Sequence, residues 1–208
     1  MTIEIVVALL VFLFPLAYSP GPGNAFFAAI GASKGVAAAL PALAGYHVAT
    51  FIVTALLGTG LGVTILTLPV VATTLAAAGS VYVLWLAWTF IRSARARSAS
   101  HDEPPVEVRI GFWSGVAVLV LNPKAYYIIV VMFTQYLRPP AADDLALVLA
   151  ITIIFTLNNL LAFLAWAWAG RGLTALFRSP RSQRWIDYLF AAMLVAVAIW
   201  MALPLFGW

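Results

Sequence analysis

Long apolar runs dominate the sequence, and short polar stretches separate them. A helix needs about 20 mainly apolar residues to cross the hydrocarbon core of a bilayer. By that measure the pattern predicts six spans, at residues 3–32, 38–64, 69–92, 110–137, 145–169 and 185–206. The sequence therefore predicts an all-α integral membrane protein with six transmembrane helices.

Two of the predicted spans contain residues that interrupt a helix. The first span contains the run Ser19-Pro20-Gly21-Pro22-Gly23-Asn24, and the fourth contains Asn122-Pro123-Lys124. Proline removes a backbone donor and clashes with the carbonyl four residues earlier, and glycine loosens the helix further. In lipid such a break persists only where protein or a water-filled cavity satisfies the freed backbone groups. We therefore predict that helices 1 and 4 are broken near the midplane, with a simple kink as the alternative for the first.

The longest polar segment, residues 92–109, divides the chain into two halves of three predicted spans each. The breaks fall in corresponding spans of the halves 1–100 and 101–208, a pattern typical of secondary transporters built from two repeats. Because each half has three spans, the second half enters the membrane from the opposite side. The sequence thus predicts a single membrane domain over residues 1–208, made of two inverted three-helix repeats.

The composition supports a membrane protein and excludes several other classes. Hydrophobic residues make up 64% of the chain and charged residues 9%, and the mean hydropathy is +1.05. Soluble domains contain about 25% charged residues. The net charge of +4 does not indicate nucleic-acid binding, because the basic residues lie in loops beside the predicted spans. Since the chain has no cysteine, disulfides and thiolate metal sites are excluded, and we predict neither a cofactor nor a metal site.

The basic residues also predict an orientation in the membrane. Arg138 is alone on one side, whereas nine basic residues fall in loops on the other, namely Lys34, Arg92, Arg95, Arg97, Arg109, Arg171, Arg178, Arg181 and Arg184. Loops rich in Lys and Arg stay in the cytoplasm. The sequence therefore predicts a multi-pass protein of a bacterial-type cytoplasmic (inner) membrane, with both termini outside.

Tryptophans cluster near the predicted span ends. They are Trp85, Trp88, Trp113, Trp166, Trp168, Trp185, Trp200 and Trp208. Tryptophan anchors spans at the membrane–water interface, so we interpret most of these residues as anchors, with a role in lining a cavity as the alternative.

Lys124 is the only basic residue predicted well inside a span. A charged lysine at the bilayer centre costs roughly 2.5–3.5 kcal/mol on insertion scales. The seven acidic residues fall at predicted span ends or in loops, so no protein carboxylate is predicted at its depth. Lys124 is then either a structural lysine, neutral or bonded to carbonyls, or a site cation whose counter-ion is a substrate carboxylate. We prefer the second interpretation, because a half-helix that begins at a break also attracts a carboxylate.

Four further residues inside the predicted spans are candidates for the site. His47, which follows Tyr46 in the second span, is the only group predicted inside the membrane that titrates in the cytoplasmic pH range. It either forms hydrogen bonds between helices or carries protons. Asn158 and Asn159 in the fifth span either bond across helices or line a cavity. We assign His47 to proton coupling, and Tyr46, Asn158 and Asn159 to substrate binding with the residues of the two breaks.

Three motifs together resemble the LysE/RhtB family of amino-acid exporters. They are Ser-Pro-Gly-Pro at residues 19–22, Asn-Pro-Lys-Ala at 122–125 and Val-Leu-Trp-Leu-Ala-Trp at 83–88. The resemblance covers the whole chain and implies export of an amino acid driven by the proton gradient. The third-span motif and Phe112-Trp113 are most similar to the branch that exports cysteine or O-acetylserine. The family usually has Pro-Gly-Pro-Asn, whereas here Gly23 comes before Asn24.

The predicted function follows from this resemblance and from the charges. An exporter of lysine or arginine should offer a carboxylate to the substrate's side chain, so the lack of a buried acid favours a small or neutral amino acid. We predict a secondary active transporter that exports such an amino acid, or a close derivative, by proton antiport. Its partners are then the amino acid, protons and the lipid bilayer, and a homo-oligomer is compatible with the sequence.

Two other classes remain as alternatives. An ion or metal exporter of related architecture would need several Asp, Glu or His ligands inside the spans. A membrane-embedded enzyme would need a nucleophile with its base, or a metal cluster. The predicted spans offer one histidine, so we predict that the protein is not an enzyme.

Overall fold

The computed structural model describes residues 1–60, 69–96, 110–137, 144–177 and 179–206, and all regular secondary structure in these ranges is helical. The α-helices there are α1 (Ile3–Tyr18), α2 (Pro22–Lys34), α3 (Val36–Gly58), α4 (Pro69–Ala96), α5 (Phe112–Val120), α6 (Pro123–Tyr136), α7 (Leu145–Leu176) and α8 (Pro180–Ala202). A short 3₁₀ turn, Leu203–Phe206, follows α8. Most of the polar segment predicted between the halves lies outside the described residues, as do Arg138, Arg178 and Trp208.

Both predicted breaks are present as sharp bends. The helices α1 and α2 meet at 63°, and α5 and α6 meet at 64°. By length and composition α3, α4, α7 and α8 can each cross a membrane, and six spans result if each bent pair forms one span. The helix α7 ends at Leu176, beyond the predicted span end at residue 169. The prediction counted only the apolar run, and the helix continues past that run.

Prolines and side-chain caps explain where several helices begin. Pro22, Pro123 and Pro180 each occupy the first position of a helix, where the missing backbone N–H is not needed. The side chain of Asp144 accepts a hydrogen bond from the Leu147 backbone at 3.1 Å and so caps α7. Thus α2 and α6 start as new helices at the breaks.

Close packing between helices depends on four glycines. The helix α2 packs extensively on α7, α3 on α5 and α7, and α4 on α8. A Cβ atom at Gly31, Gly45, Gly115 or Gly170 would overlap a backbone carbonyl of the facing helix. Small residues at such positions let helix backbones approach in membrane proteins. The pairs α2–α7 and α3–α5 are therefore held tightly together near the end of the bundle where α2 stops and α3 starts.

The interior and the outer surface of the bundle are both apolar. Large side chains such as Phe26, Phe27 and Leu194 are fully buried. Other large apolar side chains point outward, including Val11 at 68% exposure and Leu161 at 60%. An extended apolar surface is unfavourable in water and suits lipid. With four to six candidate spans, the protein is a multi-pass integral membrane protein.

Candidate functional site

The first break frees the carbonyls at the end of α1, and side chains satisfy them. Pro20 and Pro22 cannot donate a backbone N–H to the carbonyls four residues earlier. Five consecutive carbonyls, of residues 16–20, instead each accept a hydrogen bond from a side chain. The donors are, in order, Ser19 Oγ (3.2 Å), Asn24 Nδ2 (2.8 Å), Trp166 Nε1 (3.1 Å) and, for the last two carbonyls, Lys124 Nζ (3.2 and 3.4 Å). This arrangement meets the requirement that backbone groups in lipid be satisfied within the protein.

The second break is capped by residues of its own segment. The Asn122 side chain accepts a hydrogen bond from the Lys124 backbone N–H at 3.1 Å, which caps the start of α6. The Tyr126 hydroxyl donates to the Val120 carbonyl at 2.9 Å, near the end of α5. These bonds span at most six residues, so the freed backbone groups that they bind are satisfied within the segment.

Lys124 connects the two breaks. Its amine also donates to Ser19 Oγ at 2.9 Å, so three oxygens of the first break surround it. The carbonyl-bonded lysine, which was one of the two interpretations of the sequence, is the arrangement that the structure shows. The same side chain is only partly buried and lines a cavity, so the amine is also accessible to a ligand.

The cavity has a volume of about 1250 Å³ and lies between α1, α4, α6 and α8. One part of its lining, which we call the break wall, consists of Ser19, Pro20, Gly21, Pro123 and Lys124. The rest is mainly apolar and includes side chains from the start of α4 and the end of α8, among them Leu75, Val197, Trp200 and Met201. Trp200 thus lines the cavity, which was the alternative to an anchoring role.

Tyr46 lies at the centre of a buried polar cluster near the breaks. Its hydroxyl accepts a hydrogen bond from Asn122 Nδ2 at 3.5 Å and contacts the Asn159 side chain. Its ring packs edge-on against Phe27 and Phe163. Tyr46 therefore links α3 to the cap of α6 and to α7.

His47 is buried beside this cluster, with 7% of its surface exposed. Its Nδ1 lies 2.7 Å from the Leu43 carbonyl, and because a carbonyl can only accept, we assign the ring hydrogen to Nδ1. In the neutral ring Nε2 is then an acceptor. The Asn159 backbone lies near the ring, but Nε2 makes no hydrogen bond of good geometry.

None of the remaining predicted site residues lines the cavity, and three of them, Pro22, Gly23 and Asn24, belong to the first break. Asn24 is buried and holds the Ala17 carbonyl. At Gly23 a Cβ atom would come within 2.5 Å of the Phe163 ring, so a small residue is required there. Pro22 begins α2, and Asn158 is buried with no partner for its Nδ2.

Sequence reasoning missed three features of this region. Trp166 was interpreted as an interfacial anchor, but its indole donates to the Tyr18 carbonyl, 148 residues away along the chain. Tyr126, which caps the second break, was not singled out. Asp187 was predicted at a span end, as an interfacial or helix-start residue, whereas it lies two turns inside α8 and is 2% exposed. Periodic apolar residues on both sides of Asp187, such as Ile186 and Phe190, were the available sign of its burial.

Comparison with known proteins agrees with the motifs. The family description "LysE type translocator" matches residues 14–204. Similar relatives are cysteine/O-acetylserine efflux proteins from Klebsiella pneumoniae (28% identical over 200 residues, covering 96% of this chain and 97% of the relative) and Salmonella choleraesuis (27% over 184 residues, covering 88% and 90%). No solved structure matches the chain. Because the family match extends over almost the whole sequence, the resemblance found in the motifs is confirmed, and the chain belongs to the LysE family of translocators.

Proposed function

We propose that the protein exports a small or neutral amino acid, or a close derivative, from the cytoplasm by proton antiport. The observation that carries this proposal is the meeting of the Lys124 amine and the break carbonyls at one wall of a large cavity. The family description of a translocator supports transport rather than catalysis. Relatives named cysteine/O-acetylserine efflux proteins support an amino acid as the substrate.

The break wall offers groups that complement both ends of an amino acid. The Lys124 amine can bind the substrate carboxylate, and a charge-assisted hydrogen bond is roughly twice as strong as a neutral one. The bond from Nζ to the Pro20 carbonyl is the longest of the three, at 3.4 Å, so a carboxylate would replace it at the least cost. The carbonyls of Ser19 and Pro20 can then accept from the substrate ammonium group. The starts of α2 and α6 lie at the same wall and add favourable dipoles for an anion.

The lining of the cavity favours a neutral side chain on the substrate. Among the described residues that line it, Lys124 is the only one with a charge. A cationic substrate side chain would find no carboxylate there. The volume of about 1250 Å³ exceeds the roughly 300–1,000 Å³ of ordinary ligand pockets, so the cavity includes an access route as well as a binding site.

Export requires the cavity to open alternately on the two sides of the membrane. The start of α4 and the end of α8 lie on the side where α1 begins, if each bent pair is one span. The distribution of basic residues between the loops favours an orientation in which that side lies outside an inner membrane. With that orientation, we propose that this conformation is outward-open and that the glycine-packed end of the bundle closes the cytoplasmic side.

A reporter fused to the C-terminus tests this orientation. We expect a periplasmic signal, because nine basic residues lie in loops on the opposite side. A cytoplasmic signal would overturn the orientation and the inverted repeats with it.

Flux of labelled amino acids in proteoliposomes tests the transport function and the site. We expect export of neutral amino acids or O-acetylserine that a protonophore abolishes. The variant Lys124→Met keeps the apolar stem and deletes the charge, and we expect at least a tenfold loss of affinity, equivalent to about 1.4 kcal/mol.

Amide analogues of the substrate and a second lysine variant complete this experiment. Wild type should discriminate against the amide, and Lys124→Met should do so much less. Lys34→Met, at the end of α2, removes a lysine outside the cavity and should bind the substrate normally. If wild type and Lys124→Met treat acid and amide alike, Lys124 is structural and the site assignment is wrong.

A further inference from the structure

A second row of polar side chains lies between α3 and α7, apart from the cavity. We call it the seam, and it consists of His47, Thr50 and Thr54 on α3 and Thr152, Thr156 and Asn159 on α7. The spacing of three or four residues places the members on one face of each helix. None of these residues lines the cavity, so the seam is a separate feature.

Contacts at two levels fix the register of the seam. A Cβ atom at Gly58 would meet Val148, and Tyr46 contacts Asn159 and Phe163, so α3 and α7 run antiparallel. Each step of four residues back along α3 corresponds to a step of four forward along α7. Thr54 therefore lies at the level of Thr152, and Thr50 lies at the level of Thr156.

The seam contains most of the buried polar atoms that lack a partner. Among the described residues six buried side-chain atoms have no hydrogen bond, and four of them are His47 Nε2 and the hydroxyls of Thr54, Thr152 and Thr156. A threonine in a helix can donate to the carbonyl four residues earlier, as Thr50 does to Tyr46 at 2.8 Å. Thr54 and Thr152 are fully buried, and their hydroxyls do not make this hydrogen bond. Buried polar groups that are grouped and unpaired are the usual positions of ordered water.

We propose that the seam holds a file of water molecules that carries protons between His47 and the side of the membrane on which α1 begins. A hydronium ion in the file transfers its proton to Nε2 of His47, so that the ring becomes an imidazolium and a neutral water remains. The reverse transfer restores both species, so no other reactant is needed. The threonine hydroxyls can donate and accept, which suits them to hold such a file. The coupling role of this file rests on the proposed proton antiport.

Few other titratable groups lie around His47 to compete for the proton. Tyr46 is its neighbour on α3, and the titratable residues of α6, which contacts α3, are Lys124, Tyr126, Tyr127 and Tyr136. In the described residues α5 has no charged side chain, and α2 and α7 carry theirs, Lys34 and Arg171, near their ends. His47 is thus the group at the inner end of the seam that can titrate near neutral pH.

The chain has no cysteine, so one introduced cysteine provides a single S–H group as a probe. This probe measures hydration of the seam without a substrate. In the variants Thr54→Cys and Thr152→Cys the single S–H group is followed by infrared spectroscopy after transfer to D₂O. We expect S–H to S–D exchange at least tenfold faster than in Ile151→Cys. Ile151 is adjacent to Thr152, is fully buried and faces an apolar cluster. Exchange as slow as in that control would overturn the proposal.

Proton coupling is then measured in proteoliposomes with an entrapped pH dye and labelled O-acetylserine, cysteine and serine. The double variant Thr54→Val/Thr152→Val keeps the side-chain shape and removes both hydroxyls. We expect proton movement per exported amino acid to fall at least tenfold, while exchange of labelled for unlabelled amino acid at equal pH is unchanged. Thr134→Val, an exposed position on α6 whose hydroxyl bonds the Val131 carbonyl, is the control and should behave as wild type.

The outcomes separate this proposal from the proposed function. If the hydroxyls were merely unpaired, the double variant would be more stable and fully coupled, which would overturn the proton file. Export driven by a sodium gradient and not by pH would overturn it too. A wild type that moves no amino acid contradicts the proposed function and the coupling role together, whereas slow exchange in the cysteine variants contradicts the seam alone.

Discussion

The two helix breaks bend the chain by almost the same angle, 63° and 64°, yet they are stabilised in different ways. Each is followed by a new helix that begins with a proline, Pro22 or Pro123. At the first break the freed carbonyls are bound by Trp166 of α7 and Lys124 of α6 as well as by nearby side chains. At the second break Asn122 and Tyr126 provide caps from the same segment.

This difference indicates that the breaks have different parts in the mechanism. The first break keeps its conformation only while α6 and α7 stay in place, so movement of either helix changes the hydrogen bonds there. At the second break the carbonyl of Val120 and the backbone N–H of Lys124 are bound within the segment, and this segment carries Lys124 to the first break. If the halves of this translocator move against each other, we propose that helix movement and substrate binding meet at the first break. The equal bends fit the inverted repeats, which remain a prediction.

The largest expected effect comes from removing the first break. In the double variant Pro20→Ala/Pro22→Ala, new backbone N–H groups can bond the carbonyls of residues 16 and 18, which now accept from Ser19 and Trp166. We expect a folded, inserted protein that no longer transports amino acids in proteoliposomes. Pro180→Ala, at the start of α8, is the control and should transport normally. Normal flux in the double variant would reduce the first break to a tolerated kink.

A matched pair of variants compares the distant and local donors directly. Trp166→Phe and Tyr126→Phe each remove one donor to one carbonyl, and such a bond contributes about 0.5–1.5 kcal/mol to stability. We expect both variants to unfold at a lower temperature. Tyr126 also lines the cavity, so Tyr126→Phe can change the substrate affinity, but only Trp166→Phe should lower the maximal export rate, by several-fold, because it separates α7 from the first break. Equal losses of export rate in the two variants would show that the breaks do not differ in this way.

The smallest expected effect is at Gly21, which precedes α2. Its φ of −170° is open to any residue, but a Cβ atom there would lie 3.1 Å from Lys124 Nζ and 3.2 Å from Cδ. In Gly21→Ala the flexible lysine end must shift by a few tenths of an ångström. We therefore expect substrate affinity to fall two- to threefold with little change in stability, whereas Gly111→Ala, in open space before α5, should leave affinity unchanged. Identical affinities in the two variants would argue that the position of the Lys124 amine is not critical.

Much of this architecture could be predicted from the sequence, because its causes act over a few residues. Apolar run length sets the spans, and proline without a backbone N–H sets the breaks at Pro20 and Pro123. A single lysine inside an apolar run marks a place where function or special bonding is needed. These features predicted the membrane class, both breaks and the need of Lys124 for bonding partners inside the protein.

The partners of these residues were decided only by the tertiary structure. A freed carbonyl accepts from whichever donor the packing of other helices brings near it, so Trp166 could not be assigned to Tyr18 from 148 residues away. The sequence likewise shows threonines on α3 and α7, but not that Thr54 and Thr152 lie at one level, because the register depends on how closely glycines such as Gly58 let the helices approach. Backbone chemistry is local, whereas the satisfaction of buried polar groups depends on the placement of whole helices.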